Sequence, residues 1–269
     1  MTIMQKKIVN LVQVNIPFRM LYEDFIDLFV ELGLNPEIGL DADALDNYSF
    51  SDFKKIISPF HRSERRITVH GPFLDLSPGS SDPAIRDITR NRLEQVLELV
   101  PILKPKTVVC HAGYEEDRYS YFHESWLEKS LEMWRWFGEK LLAAGTVLML
   151  ENVYEKKPAE ILPFLSGLQN LKVGFCFDLG HQFAFGKVPL DSWIDMLGPY
   201  IGQLHLHDNN GSKDEHLPLG NGKIDFHPLI DFLKKRKELP LITLEPHEEA
   251  DLWPSIEYLS GMLDVLGMK

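Results

Sequence analysis

Apolar side chains recur along this chain in short runs of branched residues, separated by longer stretches in which they fall three and four positions apart. The first pattern belongs to strands buried on both faces, the second to helices with one buried face. Eight short runs return at intervals of roughly 24 to 40 residues, as repeated strand–helix units require. They predict strands at 8–14, 36–40, 67–70, 107–111, 147–151, 173–178, 201–207 and 241–245. The intervening pattern predicts helices at 22–32, 50–58, 83–103, 121–143, 158–168, 190–197, 226–237 and 254–266. Asp82 before Pro83 supplies a cap and a proline at the first helical position, and Gly33 and Gly145 fall where a left-handed residue ends a helix. Gaps are short and no low-complexity linker interrupts them, so residues 1–269 are read as one α/β domain, a single (β/α)₈ TIM barrel. An open doubly wound sheet also alternates these elements, but no Gly-rich phosphate fingerprint follows the first strand, and eight units favour closure.

Chemistry-bearing side chains collect at the ends of the predicted strands. His70, His111, Glu151, Asp178, His205 and Glu245 stand at or near the last residues of six of them. In a closed barrel these converge on the face where the loops after the strands open, which is the catalytic face. His181 follows Asp178 by three residues, and Asp214 and His216 lie on the longest irregular stretch, 208–224, bringing the candidate metal ligands to nine. A lone His at a strand end is usually a hydrogen-bonded structural residue, and a lone carboxylate there a helix cap. Six such residues together are an uncompensated buried cluster unless cations join them. In His205-Leu206-His207 both imidazoles share one strand face. His205 is preferred as the ligand and His207 as a contact to the substrate or to the ligands themselves. The indoles of Trp126, Trp134 and Trp136 fall in a long amphipathic pattern and are read as packing, and the run 234–237 as a solvated helix end.

Composition narrows the partners. The formal net charge is -12, which argues against a broad nucleic-acid surface, although up to three divalent ions would add about +6 at the site itself. Cys110 and Cys176 each sit in an apolar run and predict buried free thiols in a reducing compartment. Neither a membrane-length apolar segment nor a signal-type start at 1–7 is found, and the expectation is a soluble cytoplasmic protein.

The segments His70-Gly-Pro-Phe73, His111-Ala-Gly, Glu151-Asn-Val, Asp178-Leu-Gly-His181, His205-Leu-His-Asp and Asp214-Glu-His216-Leu-Pro-Leu-Gly-Asn-Gly, taken as an ordered set, resemble the xylose isomerase-like barrel superfamily. That superfamily holds the endonuclease IV (AP endonuclease family 2) enzymes and many sugar isomerases and epimerases. The endonuclease pattern implies three zinc ions on His70, His111, Glu151, Asp178, His181, His205, Asp214, His216 and Glu245. The epimerase pattern implies one manganese or magnesium ion on Glu151, Asp178, His205 and Glu245, with the two glutamates acting as acid and base.

The favoured expectation is an isomerase or epimerase of a small carbohydrate, with catalytic Glu151, Glu245 and His181, and with His207 and Phe73 against the substrate. A zinc phosphodiesterase of the endonuclease type is the alternative, and a non-catalytic metal-binding barrel a lesser one. The segment 37–50, which in the endonucleases is basic and enters the helix, here carries Asp41, Asp43 and Asp46 and no Lys or Arg. Nucleic acid is therefore disfavoured as a partner.

Overall fold

The computed structural model describes residues 3–265, with side chains described for 5–262. Eight strands, β1 (Val12–Pro17), β2 (Asn35–Gly39), β3 (Thr68–His70), β4 (Thr107–His111), β5 (Val147–Glu151), β6 (Gly174–Asp178), β7 (Ile201–Leu206) and β8 (Leu241–Leu244), form a closed ring in chain order. Every neighbouring pair is parallel, and β8 returns to β1 with Val12 beside Ile242. Most strand residues are buried, because helices cover the outer face and side chains fill the inner one.

Register does much of the positioning. His111 lies beside Glu151 across β4 and β5, and Asp178 beside His205 across β6 and β7. The strands thus end level enough for their last side chains to meet over the same end of the ring.

The outer layer follows the predicted helical pattern closely at Pro83–Leu103 and Leu190–Leu197, and within two residues at His123–Ala143. Asp82 caps the first of these with its carboxylate on the Ala84 N–H. Trp126 and Trp134 are buried between helices and strands, and Trp136 is half-buried against the same core. The helix predicted at 254–266 begins earlier, at Glu249, and its predicted last residue, Leu266, lies outside the described residues.

Three expectations are corrected. The first strand is not 8–14: residues Ile3–Leu11 are helical, Ile8 and Val9 belong to the buried side of that helix, which packs against Glu249–Val265, and β1 begins at Val12. An apolar pair serves either element equally well, so the run alone misplaced the boundary. The acidic stretch after β2, where the spacing predicts no element, contains a helix, Ala42–Asn47, capped by Asp41. The basic run after His227–Lys234 is not wholly solvated either, since Arg236 donates to the carbonyls of Gly198 and Ile201, both at 3.0 Å, and closes the ends of neighbouring elements.

Both cysteines are buried free thiols. Among the described residues no helix is long and apolar enough to cross a membrane.

Candidate metal centre

Glu151, the last residue of β5, is the hub. Its Oε2 lies 3.0 Å from His70 Nε2 and 3.6 Å from His111 Nε2, and its Oε1 lies 3.0 Å from His205 Nδ1 and 3.6 Å from His181 Nδ1. Glu245, just past β8, approaches the same His205 Nδ1 at 3.0 Å. Ligand-type atoms lie within 4.8 Å of one another in His70, His111 and Glu151, in Glu151, Asp178 and His205, and in His181, His207, Asp214 and His216. Glu245 joins two further groups, one with Glu37 and His205 and one with Asp178 and His207. The nine residues singled out as ligands from the sequence are therefore all brought together, and His205 of β7 and His207 just past it enter different groups.

Local structure explains how each side chain is aimed. Asp178 is the N-cap of Leu179–Phe185, its Oδ1 accepting the His181 N–H at 2.6 Å, so the cap fixes where His181 leaves the backbone. Asn152 clamps β5 to β6 beyond their ladder: its amide accepts the Asp178 N–H at 3.0 Å and donates to the Asp178 carbonyl at 2.9 Å. Asp208 holds the long seventh loop, its carboxylate accepting from the N–H groups of Asn209, Gly220 and Ile224. Asp214 and His216 ride on that loop, and His216 takes a left-handed backbone, φ 50°.

Three of the imidazoles are oriented in a common way. His70 Nδ1 donates to the Gly71 carbonyl at 2.8 Å, His181 Nδ1 to the Asn152 carbonyl at 3.0 Å, and His216 Nδ1 to the Glu245 carbonyl at 3.2 Å. In each case Nε2 is left facing a carboxylate of the cluster: Glu151 for His70, Asp214 for His181 and His216. A backbone acceptor on one ring nitrogen fixes the tautomer that offers the other nitrogen to a metal.

Electrostatics fit cation binding. Burial opposes ionisation of Glu151, yet the charge of His205 and hydrogen bonds from His181, His205 and His70 hold its carboxyl well below the usual range. Burial pushes His111 down to about 3, so it is neutral. Burial also opposes charge on His216, but Asp214 and Glu245 raise it to about 9. Asp178 Oδ2, Asp214 Oδ1 and both ring nitrogens of His207 are buried with no hydrogen-bond partner among the described residues. Unpartnered acceptors packed this way cost free energy unless a cation joins them, and mixed imidazole–carboxylate donors suit a divalent ion.

Above the cluster opens a cavity of about 750 Å³, lined by His70, His111, Glu151, His181, Asp214, His216 and Glu245, with Asp178, His205 and His207 buried and not part of its lining. Phe73 forms a wall, 45% exposed, its ring 4.8 Å from that of His111 and 5.5 Å from that of His70. Asp41, Asp75, Glu115, Glu248 and Glu249 line the mouth, and Arg118 is the one Lys or Arg side chain among the described lining residues.

Two participants escaped the sequence reading. Glu37 on β2 is fully buried and its Oε1 lies 2.8 Å from His205 Nε2. A carboxylate inside a strand is itself the available signal, because such a residue is almost never buried without a partner. His247, just past the end of β8, stacks on His216 at 3.9 Å, and His216 stacks in turn on His207 at 3.8 Å.

Residues 24–262 match the family model described as "Xylose isomerase-like TIM barrel". The uncharacterized protein MJ1311 of Methanocaldococcus jannaschii is 29% identical over 218 residues, 77% of this chain and 73% of that protein. A probable endonuclease 4 of Symbiobacterium thermophilum is 27% identical over 221 residues, 72% of this chain and 77% of that protein. Among solved structures, the TTHB071 protein of Thermus thermophilus, from a crystal soaked with ZnCl2, superposes with a TM-score of 0.80 at 26% identity, covering 95% of this chain and 98% of that one. A D-tagatose 3-epimerase-like protein superposes with a TM-score of 0.78 at 24% identity, over 95% and 98% of the two chains, a likeness of fold.

Proposed function

Because the chain belongs to the xylose isomerase-like TIM-barrel family, we propose that it is a divalent-metal-dependent isomerase or epimerase of a small sugar or sugar derivative. The observation that carries this reading is the placement of Glu151 and Glu245, which approach His205 Nδ1 at 3.0 Å each and line the floor of a cavity whose mouth is acidic. Glu151, Asp178, His205 and Glu245 would hold the ion, which supplies Lewis-acid polarisation of a carbonyl oxygen when bound. One glutamate takes the proton from the carbon next to that carbonyl, and the other returns a proton. His181 lines the cavity where substrate hydroxyl groups would lie and Phe73 gives a sugar ring an apolar wall, whereas His207, expected against the substrate, is buried outside the lining and backs His181, Asp214 and His216 instead. The acidic mouth favours a neutral substrate over a phosphorylated one. The protein of known fold described as D-tagatose 3-epimerase-like acts as a guide to the substrate class to be tried first.

A second reading has its own support. His70, His111, His181, Asp214 and His216 form donor groups beyond the four residues that one ion needs, and one relative is a probable endonuclease 4. A multinuclear zinc phosphodiesterase would use them all. Against it stand the mouth carboxylates and the helix Ala42–Asn47, which place negative charge where a phosphate backbone would approach.

Metal content decides between them, measured by elemental analysis on protein purified without chelators, with His70, His111 and His216 variants alongside and with ketose and abasic-site DNA assays. About one manganese or magnesium ion, indifferent to those variants and accompanied by ketose turnover, supports the isomerase. About three zinc ions, lost stepwise, with DNA cleavage, replaces it by the phosphodiesterase. Bound metal without turnover on either panel leaves a binding barrel.

A further inference from the structure

His70, His181 and His216 each anchor Nδ1 on a main-chain carbonyl and present Nε2 to the cluster. His205 is turned the other way. It presents Nδ1 to Glu151 and Glu245, and its Nε2 meets a carboxylate, Oε1 of Glu37, at 2.8 Å. Glu37 in turn sits in a cage drawn from four other strands of the ring. Its Oε2 accepts from Thr68 Oγ1 at 2.7 Å, Gln203 Nε2 at 2.5 Å and Thr243 Oγ1 at 3.1 Å, and Oε1 accepts weakly from Asn15 Nδ2 at 3.4 Å. Three donors on one oxygen leave the other free to face His205, and all of Glu37, Thr68, Gln203, Thr243 and His205 are fully buried.

Resting on the metal-site reading above, we propose that Glu37 is a positioning residue for that centre. Its carboxylate keeps the proton of His205 on Nε2 and so holds the Nδ1 lone pair ready for the ion shared with Glu151, Asp178 and Glu245. It touches neither cavity nor substrate, since it is absent from the cavity lining and lies beneath His205. A carboxylate in this place does more than a carbonyl: its full charge makes the imidazole a stronger donor, at the one histidine that two strand-end glutamates share. The cost of burying the charge is offset by the surrounding hydroxyl and amide donors and by the His205 ring.

The test is a pair of measurements on the full chain. Competition titration of Zn²⁺ or Mn²⁺ against a chelator compares wild type with Glu37→Gln, which keeps the shape and an acceptor oxygen but removes the charge. The affinity of the ion bound through His205 falls by about 10- to 100-fold while the number of ions at saturation is kept. Long-range proton–nitrogen NMR on metal-loaded wild type needs no variant, and it shows His205 protonated on Nε2 and metal-bound through Nδ1. Equal affinity in Glu37→Gln, or the opposite tautomer in wild type, overturns the role of Glu37 while leaving the metal site standing. Loss of a whole ion equivalent at saturating metal makes Glu37 a ligand and overturns it too. A wild-type chain that binds no divalent ion removes the reading beneath it.

Discussion

Asp178 Oδ1 accepts the main-chain N–H of His181 at 2.6 Å, while Asp178 Oδ2 is buried without a hydrogen-bond partner among the described residues. One carboxylate therefore starts the helix Leu179–Phe185 and reaches into the donor cluster. The two duties separate by substitution. Asp178→Asn keeps a capping oxygen, so the metal-free fold changes by less than about 1 kcal/mol, whereas Asp178→Ala loses the cap and about 0.5–2 kcal/mol. Both lose metal. Urea unfolding of the metal-free variants and metal analysis of the loaded ones check this, and full metal content in Asp178→Asn would refute it.

In the proposed isomerase, Glu151 and Glu245 carry the proton transfers. Glu151→Gln and Glu245→Gln each lower kcat by about 10²- to 10⁴-fold or more while circular dichroism of the chain stays unchanged. Steady-state kinetics on the best ketose found is the measurement. A variant with wild-type kcat takes its residue out of the mechanism.

Gly180 is packed against the ring of His207, and a Cβ there would collide with all three of the nearest ring atoms. The imidazole also stacks on the parallel ring of His216 at 3.8 Å. Gly180→Ala therefore displaces His207 or the helix that carries His181, at a cost of about 1–3 kcal/mol. Denaturant unfolding reads the cost directly, and a variant as stable as wild type shows that His207 has room to move.

Glu155 is buried, with Oε1 accepting the Tyr114 N–H at 2.9 Å and Oε2 the Val153 N–H at 2.8 Å. Burial outweighs these donors and raises its carboxyl to about 7. The folded chain therefore holds a proton that the unfolded chain releases near 4.5, and this stabilising contribution is complete below about 4.5 and lost as pH rises through about 7. The change amounts to roughly 2–4 kcal/mol. Unfolding free energies of metal-free wild type and Glu155→Gln, compared from pH 5 to 8, should show wild type losing ground as pH rises. A constant difference would place the Glu155 pKa near its ordinary value.

Much of the arrangement is legible because strands β3 to β8 each carry a chemically distinctive residue at or beside the strand end, so pattern and chemistry mark the same positions. The ring closure and the register that sets His111 beside Glu151 follow from that spacing. Three features were hidden for different physical reasons. Ile8 and Val9 serve a helix face as readily as a strand, so β1 was read too early. The helix Leu179–Phe185 is too short to show a period, although Asp178 before Leu-Gly-His carried its cap. Glu37 falls within the predicted strand 36–40 but its role is not legible there, because its burial depends on Thr68, Gln203 and Thr243, which are distant in sequence and adjacent only across the barrel.

The three amide hydrogen bonds that Asp208 accepts tie residues 209, 220 and 224 to one point, and the Cβ that Gly222 lacks would run into that same carboxylate. For anyone exchanging specificity between relatives, the seventh loop is thus a cassette with a fixed frame. A transplanted stretch that keeps Asp208, Gly220 and Gly222 delivers its counterparts of Asp214 and His216 to the same place, whereas one that changes Gly222 arrives with its cargo misaddressed.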